Sequence, residues 1–432
     1  MQERSTNLGS KLASLMWRLL SRYGELKYQY LLPVYRALGL LNPNRKPSGT
    51  HSISRTLRLA KAISTLLNRS SISDQLKAVG ERIKERKGAV IFLPSVGWEI
   101  ANTQRTNHLA REFASQGYVT IFDSSNSYDD VDGFKEVEPN VFLFRGSDTV
   151  LAQIANPIVW AFTYNFDRTD AFNSSALTVY DWIDDLDVFP YDRAFLERTH
   201  KRGLKEAHLV ASVARRLHNM AIDERPDALY LPNGVEYERF ASQSIKLPDD
   251  SAIDPSWTNG KPLAGYFGAM AEWFDYDLLG EVAELRPDWN FLLIGPMHDN
   301  SLRDRGRSML KHSNVRWIGP RDYKSLPGYL QLFDVATIPF AINDITLATS
   351  PLKLFEYFAG GKPVIATPMP ECEAFPEVHI ARNAAEFSAA LDKAITEVED
   401  LEFRERLRKL GRENSWKMRV QVALEHLRNG KR

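Results

Sequence analysis

From residue 88 onward, the chain alternates short apolar runs with helix-length segments, and this alternation occurs twice. The first run is Ala89–Leu93; a helix predicted over residues 103–116 and a second apolar run, Tyr118–Phe122, follow it. Short continuous apolar runs are typical of strands that are buried on both faces of a parallel sheet. The repetition therefore predicts an α/β fold with parallel, doubly wound sheets.

Further elements follow in both halves of the chain. The first half contains predicted strands at 157–162, 177–180, 208–212 and 228–231 and a helix at 192–207. The second half contains predicted strands at 263–267, 290–294, 315–318, 335–338 and 363–366 and helices at 277–285, 326–332, 351–359, 384–396 and 402–429. We predict five parts: a basic helical extension (1–87), a first domain (88–240), a polar linker (241–260), a second domain (261–400) and terminal helices (401–432).

Charge is spread unevenly along the 432 residues, although the formal net charge is zero. Residues 1–87 contain 17 Lys/Arg and 5 Asp/Glu, a net of +12, so the remaining residues carry −12. This asymmetry indicates that the basic part meets an anionic surface or an acidic partner. Its amphipathic helices fit an in-plane membrane anchor and packing on the body of the protein equally well.

Several classes of protein are disfavoured by composition. Charged residues interrupt the most apolar early stretch, residues 12–41, so we expect neither a transmembrane helix nor a signal peptide. Cys372 is the only cysteine, which excludes an intrachain disulfide framework and fits a reducing compartment. The basic segment lacks a recognised nucleic-acid-binding module, so we expect no nucleic-acid partner.

The most informative segment is Thr349–Tyr357, at the start of a predicted helix. Ser350 suits the N-cap, Pro351 suits the first helical position, and the free amides of this turn favour an anion. Lys353 adds a positive charge there, and Glu356 follows three residues later on the same face. The segment predicts a diphosphate at the helix end with Glu356 on a ribose diol. An ordinary Lys–Glu pair on a capped surface helix remains the alternative.

Two other segments contain candidate site residues. Gly268 follows the first strand of the second domain, where glycine lets the backbone approach a phosphate, although many tight turns look the same. Asp181 and Asp184 follow the strand predicted at 177–180, so we expect them at the carboxyl edge of the first sheet. They are candidates for taking a proton from an acceptor hydroxyl; helix capping, loop solvation and a metal site are the alternatives.

Taken in order, these pieces resemble the nucleotide-sugar glycosyltransferases of the GT-B fold, in particular family 4 and a subgroup that makes bacterial surface polysaccharides. The resemblance covers about residues 88–432. The stretches that carry it are Trp98, Gln104-Arg105, Tyr180–Asp185, Leu231–Val235 with Phe240, Gly265–Gly268, Phe291–Pro296, Asn314–Gly319, Phe333–Phe340 and Pro351–Ala366.

The resemblance implies two Rossmann-like domains, with a C-terminal helix that crosses back to the first domain. It implies catalytic roles for Asp181, Lys353 and Glu356 and an acceptor side formed by Trp98, Arg105 and Asp184. The implied donor-binding residues are Gly268, Ala269, Gly295, Pro296, Arg321, Tyr323, Thr349, Ser350, Pro351 and Leu352. Two departures stand out: Ala348 replaces the first carboxylate of the family's paired-glutamate motif, and Ala269 replaces the arginine after the loop glycine.

The expected function is transfer of a sugar from a nucleoside diphosphate sugar to a glycan or lipid-linked acceptor, with retention of configuration. No cofactor and no metal are expected, because the resemblance is to a metal-independent fold. We expect a cytoplasmic protein that lies peripherally on the inner face of the membrane through residues 1–87. The alternatives are a nucleotide-sugar epimerase on the same fold and a noncatalytic scaffold subunit.

Overall fold

The computed structural model describes residues 72–100, 103–242, 246–253, 255–297 and 302–429. The predicted basic extension lies mostly outside these residues, apart from its last helix, which runs from Ile72 to Lys84. Within the described ranges, no helix has both the length and the apolar character that a membrane span requires.

The first half of the chain forms an eight-stranded sheet of order β3-β4-β2-β1-β5-β6-β7-β8. Only β3 and β4 pair antiparallel; every other neighbouring pair is parallel. The strands are β1 (Ala89–Phe92), β2 (Val119–Asp123), β3 (Gly133–Glu138), β4 (Val141–Arg145), β5 (Ile158–Phe162), β6 (Leu177–Trp182), β7 (Leu209–Ser212) and β8 (Leu229–Tyr230). The helices are α1 (Ile72–Lys84), α2 (Arg105–Ser115), α3 (Asp148–Leu151), α4 (Arg193–Glu206), α5 (Arg215–Glu224) and α6 (Tyr237–Ala241).

The second half forms a six-stranded parallel sheet of order β11-β10-β9-β12-β13-β14. Its strands are β9 (Leu263–Phe267), β10 (Asn290–Ile294), β11 (Val315–Trp317), β12 (Val335–Ile338), β13 (Val364–Ala366) and β14 (Val378–Ile380). Its helices are α7 (Pro255–Thr258), α8 (Tyr276–Leu285), α9 (Leu302–Met309), α10 (Leu326–Leu332), α11 (Asp344–Leu347), α12 (Leu352–Ala359), α13 (Pro370–Glu373), α14 (Ala384–Glu397), α15 (Leu401–Glu413) and α16 (Trp416–Asn429). The predicted α/β class with two doubly wound sheets is confirmed.

Three local expectations need correction. The β3–β4 hairpin was not predicted, because β3 is an edge strand with exposed Lys135 and Glu136 and lacks an apolar run. Strand β6 continues to Trp182, so Asp181 lies inside the strand rather than after it. The helix predicted at 402–429 is two helices, because the helical conformation is interrupted at Asn414 and Ser415.

The break before α16 determines how the terminal helices pack. Helix α15 packs on α12 of the second sheet, where Gly411 lies so close that an added Cβ would be 2.6 Å from the Ala359 nitrogen. Helix α16 packs on α2 and β7 of the first sheet, and Trp416 lies in that core with 2% of its surface exposed. Of the two terminal helices, α16 is therefore the one that returns to the first sheet.

The carboxyl ends of β7 and β8 face the second sheet. The amide of Arg215, after β7, donates to the Glu371 carboxylate at 2.6 Å. Asn233, after β8, donates from its side chain to the backbone oxygen of Ser350 at 2.7 Å. The carboxyl edges of the two sheets thus border one cleft, which is where open α/β sheets bind ligands.

Candidate functional site

Three loops meet at the carboxyl edge of the second sheet. The Gly268 amide donates to the Ile294 oxygen at 2.8 Å, and the Gly295 amide donates to the Gly319 oxygen at 2.9 Å. Gly268 and Gly295 have φ of +138° and +141°, values that residues with a Cβ rarely adopt. A Cβ on Gly295 would lie 2.0 Å from the Gly268 oxygen. The glycines therefore allow the loops to stack backbone against backbone.

The Lys353 side chain passes directly over Gly268. A Cβ on Gly268 would lie 2.9 Å from Lys353 Cε and 3.3 Å from Nζ. The ammonium group lies 4.7 Å from the centre of the Phe340 ring and 5.3 Å from that of Tyr266. Burial lowers the pKa of Lys353 to about 8, although the Glu356 charge opposes the shift. Lys353 forms no ion pair with any described residue, so its charge is available to an anion in the cleft.

The helix behind Lys353 begins differently from the prediction. Helix α12 starts at Leu352, and Pro351 is its N-cap, with extended backbone and no capping side chain. Ser350 was the predicted N-cap, but its hydroxyl instead accepts a hydrogen bond from the Asn233 amide at 3.2 Å. The first-turn amides of Leu352 and Lys353 have no intrahelical acceptor, as at any helix start. The Thr349 hydroxyl is already committed to the Ile345 oxygen at 2.7 Å.

Glu356 lies one turn further along α12 and is 5% exposed. Its Oε1 accepts a hydrogen bond from the Tyr323 hydroxyl at 3.0 Å. Burial raises the pKa of Glu356 to about 7, while this hydrogen bond and the Lys353 charge oppose the shift. One carboxylate oxygen is therefore held by the protein, and the other is available to a hydroxyl-bearing ligand.

Four of the implied donor-binding residues, Tyr323, Arg321, Ala269 and Pro296, form hydrogen bonds within the protein. Tyr323 bonds Glu356, and Arg321 donates to the Asp250 carboxylate and the Tyr329 hydroxyl, at 2.8 and 3.0 Å. The Ala269 oxygen accepts the Tyr266 hydroxyl at 2.7 Å and the Trp273 ring nitrogen at 3.0 Å. The Pro296 oxygen accepts the Met270 amide at 2.9 Å. These contacts fix the loops that border the glycines.

On the first-sheet side, Asp181 is fully buried and surrounded by donors. Arg105 donates to it through Nε and Nη2 at 2.9 and 3.0 Å, and the Trp160 ring nitrogen donates at 2.8 Å. Arg105 also donates to the Pro232 oxygen at 3.2 Å. An acceptor hydroxyl has no access to this carboxylate. We therefore correct the expected catalytic role of Asp181 and acceptor role of Arg105: the pair positions the loop at Pro232.

Asp184 differs from its acidic neighbours. Asp185 accepts from the Asp187 amide, Asp187 pairs with Arg193, and Asp192 caps α4. Asp184 forms no ion pair with a described residue, and burial, followed by the Asp185 charge, raises its pKa to about 7. Of the two predicted acidic candidates, Asp184 is thus the one that remains available to a ligand.

Trp98 is held in a fixed loop at the same edge. Its amide and that of Glu99 donate to the Asp129 carboxylate at 2.8 and 2.9 Å. Its ring packs edge-on against Phe122 and lies 4.5 Å from the Arg111 guanidinium. Asp129 was not predicted as part of this site, because no sequence motif links it to a loop 30 residues away.

His108, a residue of α2 that was not predicted as part of the site, lies at the junction of the two sheets. Its Nδ1 lies 2.9 Å from a Glu236 oxygen, and its ring stacks on Trp416 at 5.1 Å. It also packs edge-on against Tyr323, with 5.4 Å between ring centres. Burial lowers the pKa of His108, although the hydrogen bond and the charge of Glu236 oppose the shift. Its position in the helix interior gave no signal of this contact.

One of the two departures from the family pattern, Ala348, has a structural counterpart. Ala348 is 1% exposed and packs into the core cluster that contains Val213 and Leu217 of the first sheet. A carboxylate at this position would be buried against apolar groups, which is costly.

Among the described residues, no group of three or more His, Cys, Asp or Glu side chains is arranged to hold a metal ion.

Two α/β sheets, parallel except for the β3–β4 pair, meet at their carboxyl edges in the manner of the GT-B fold. Residues 261–397 match the glycosyl transferases group 1 family. The chain is 31% identical over 191 residues to TuaH of Bacillus subtilis (strain 168), whose name assigns it to teichuronic acid biosynthesis as a glycosyltransferase. That match spans less than half of each protein: 43% of this chain and 46% of TuaH.

Solved structures show the same fold at low identity. Sucrose-phosphate synthase from Thermosynechococcus elongatus is 17% identical, with a TM-score of 0.58 over 79% of this chain and 98% of its own. Trehalose-6-phosphate synthase OtsA is 11% identical, with a TM-score of 0.61 over 79% and 98%. Anabaena HepE, solved in complex with UDP, is 12% identical, with a TM-score of 0.58 over 79% and 99%.

Proposed function

We propose that this protein is a glycosyltransferase that moves a sugar from a nucleoside diphosphate sugar to a glycan or lipid-linked acceptor in bacterial cell-surface polysaccharide synthesis. The observation that carries the proposal is the Lys353 ammonium, which lies over Gly268 at the cleft and forms no ion pair with a described residue. The family match over residues 261–397 and the similarity to TuaH support the reaction class. HepE, which shares the fold, was solved with UDP.

In this proposal the donor diphosphate binds between Gly268 and the start of α12. Bond breaking at the anomeric carbon transfers negative charge to the diphosphate. Lys353 and the first-turn amides of Leu352 and Lys353 stabilise that charge, because fixed charges and dipoles need little reorganisation in a sheltered site. Glycine at position 268 leaves the room that Lys353 and a phosphate both need.

Glu356 would bind the ribose hydroxyls through the carboxylate oxygen that Tyr323 leaves available. On the acceptor side, Asp184 would accept a hydrogen bond from the attacking sugar. We propose that configuration is retained, so that the acceptor attacks the face from which the diphosphate departs. The hydroxyl proton then passes to the leaving diphosphate oxygen, and no resident cofactor or metal ion is needed.

We also propose that the protein works on the cytoplasmic face of the cell membrane. The net charge of +12 over residues 1–87 favours anionic headgroups, worth about 1 kcal/mol per basic residue near the surface. Flotation of the full chain with vesicles containing anionic lipid should occur at low salt and weaken at high salt. Failure to float at low salt would refute this part of the proposal.

The reaction itself is tested by measuring release of nucleoside diphosphate from UDP-, GDP-, dTDP- and ADP-sugars. Glycan and lipid-linked acceptors are supplied, with and without magnesium, and NMR of the product reports the configuration. We expect one donor class to be consumed in the presence of an acceptor, and Lys353→Met to slow its consumption at least tenfold. Isomerised free sugar nucleotide would indicate an epimerase, and no turnover with any donor would favour the scaffold alternative.

A further inference from the structure

A cluster of aromatic rings lies at the carboxyl edge of the first sheet, beside the cleft. Tyr164 follows β5, and Phe189 and Tyr191 lie in the loop after β6. Strands β5 and β6 are parallel neighbours, so both loops leave the sheet at the same edge. The ends of β7 and β8 at this edge already contact the second sheet, through Arg215 and Asn233. The cluster therefore lies at the edge of the first sheet that faces the second sheet.

The rings are stacked and partly open. Tyr164 and Tyr191 are nearly parallel, with an interplanar angle of 4° and ring centres 5.6 Å apart. Phe189 packs against Tyr164 at 5.0 Å, and the Tyr191 amide donates to the Phe189 oxygen at 2.8 Å, which fixes the loop. Tyr191 nevertheless remains 45% exposed. A preformed aromatic stack with one exposed ring is a surface ready for a flat apolar face.

The cluster also has a carboxyl group, that of Asp184, beside it. Asp184 lies directly after β6, in the same loop as Phe189 and Tyr191. Burial, followed by Tyr191, Asp181 and Asp184, raises the pKa of Tyr164. Asp181 is enclosed by Arg105 and Trp160, so Asp184 is the carboxyl group available beside the rings. Aromatic walls with one or two placed polar groups are typical of small-molecule sites.

We infer that Tyr164, Phe189 and Tyr191, together with Asp184, form a subsite for a pyranose ring of the acceptor. A pyranose has an apolar C–H face, which packs on an aromatic ring, and hydroxyl groups, which donate to a carboxylate. An acyl chain would use the rings but would place hydrocarbon against the partly buried Asp184 carboxyl without giving it a hydrogen-bond partner, at a cost. The aromatic stack and the carboxyl together therefore favour a sugar over a lipid. The assignment to the acceptor rests on the proposed function, whereas sugar binding does not.

The test measures sugar binding directly, without turnover. Saturation-transfer NMR is recorded on the full chain with the methyl pyranosides of glucose, galactose, mannose and N-acetylglucosamine. Tyr191→Leu keeps apolar bulk but removes the ring, and Tyr191→Phe keeps the ring. Tyr128→Leu is the matched control, because Tyr128 is an exposed tyrosine outside the cluster, with 82% of its surface accessible.

We expect at least one pyranoside to receive saturation from the wild type, Tyr191→Phe and Tyr128→Leu, and Tyr191→Leu to lose at least fivefold in signal. Equal signal from Tyr191→Leu, or no signal from any pyranoside, would overturn the subsite. Weaker vesicle binding by Tyr191→Leu with unchanged pyranoside signal would assign the rings to lipid and would also overturn it. Nucleoside diphosphate binding, measured on the same wild-type sample, reports separately on the proposed function.

Discussion

At the scale of single residues, two lysines in the second sheet show the difference between a structural and a ligand-facing charge. Burial lowers the pKa of both Lys353 and Lys362 to about 8. Lys362 Nζ donates to the backbone oxygens of Gln331 and Phe333, at 3.1 and 2.7 Å. Lys353 has aromatic rings around it and no carboxylate partner among the described residues. Buried polar groups normally have partners, so the Lys353 site is the one shaped for a ligand.

This contrast predicts that replacing each lysine with methionine has a different effect on the free energy of unfolding. Lys362→Met should lower the free energy of unfolding by about 1–3 kcal/mol, because two carbonyl groups lose their buried donor. Lys353→Met should leave the free energy of unfolding unchanged or raise it, because it removes a costly charge and keeps the apolar stem. Urea unfolding at pH 7 measures both. Equal destabilisation by the two variants would show that Lys353 is also structural.

Nucleoside diphosphate binding should depend on pH with a maximum between about 7 and 8. Glu356, with a pKa raised to about 7, must be ionised to accept ribose hydroxyls, so affinity falls as pH drops below 7. Lys353, with a pKa lowered to about 8, must be charged to hold phosphate, so affinity falls as pH rises above 8. Calorimetric titrations from pH 6 to 9 measure the profile. Glu356→Gln should remove only the acid limb, and a flat wild-type profile would contradict this account.

Glu356 also links stability to pH. Its folded pKa of about 7 lies above the ordinary value of 4.5, so the folded state binds more protons between these values. The free energy of unfolding should therefore fall as pH rises through this window. Glu356→Gln removes the cost and keeps an acceptor for Tyr323, so it should be more stable than the wild type at pH 8, by roughly 3 kcal/mol at most. Equal free energies of unfolding at pH 8 would show that burial of the ionised Glu356 carboxylate does not lower stability.

At the scale of elements, the loop after β9 leaves room for the Lys353 side chain because Gly268 carries no side chain. Gly268→Ala should weaken nucleoside diphosphate binding at least tenfold, because the new Cβ would lie 2.9 Å from Lys353 Cε and displace the ammonium. The control is Gly80→Ala in α1, where no atom lies within 4 Å and alanine should stabilise the helix by about 0.5–1 kcal/mol. Unchanged binding by Gly268→Ala would separate Lys353 from the donor site.

The elements also show how far sequence reasoning reaches. Most parallel strands were predicted within one or two residues, because their apolar runs are local signals, whereas β4 and β14 were not predicted. The β3–β4 hairpin escaped prediction because one of its strands is a polar edge. The start of α12 was predicted wrongly, because Ser350 is engaged by Asn233, a residue 117 positions away. The enclosure of Asp181 by Arg105 likewise depends on a contact across 76 positions, which no local pattern contains.

At the scale of the whole molecule, a series of aromatic contacts connects α16 to the second half of the chain. Trp416 stacks on His108, and His108 in turn packs against Tyr323, the residue that holds Glu356. This series of contacts, which runs from α16 to the Glu356 carboxylate, therefore crosses the junction of the sheets. Substitution of Trp416 should therefore lower both the free energy of unfolding and the affinity for a nucleoside diphosphate.

Trp416→Ala should lower the free energy of unfolding by about 3–5 kcal/mol, the usual cost of removing a buried aromatic side chain. It should also weaken nucleoside diphosphate binding, because His108 and Tyr323 lose their packing partner. Chemical unfolding and calorimetry measure the two effects. Met418→Ala, at a 39% exposed position of the same helix, should change the free energy of unfolding by less than about 0.5 kcal/mol. Similar losses in both variants would mean that α16 packs differently.

The most direct test of the central claim is calorimetric titration of the full chain with UDP, GDP, dTDP and ADP at pH 7.5. The wild type is compared with Lys353→Met, and Lys362→Met is the matched buried-lysine control. The account predicts that one nucleoside diphosphate binds the wild type, that Lys353→Met weakens it at least tenfold, and that folded Lys362→Met retains it. Equal binding by wild type and Lys353→Met, or no binding of any nucleoside diphosphate, would contradict the account.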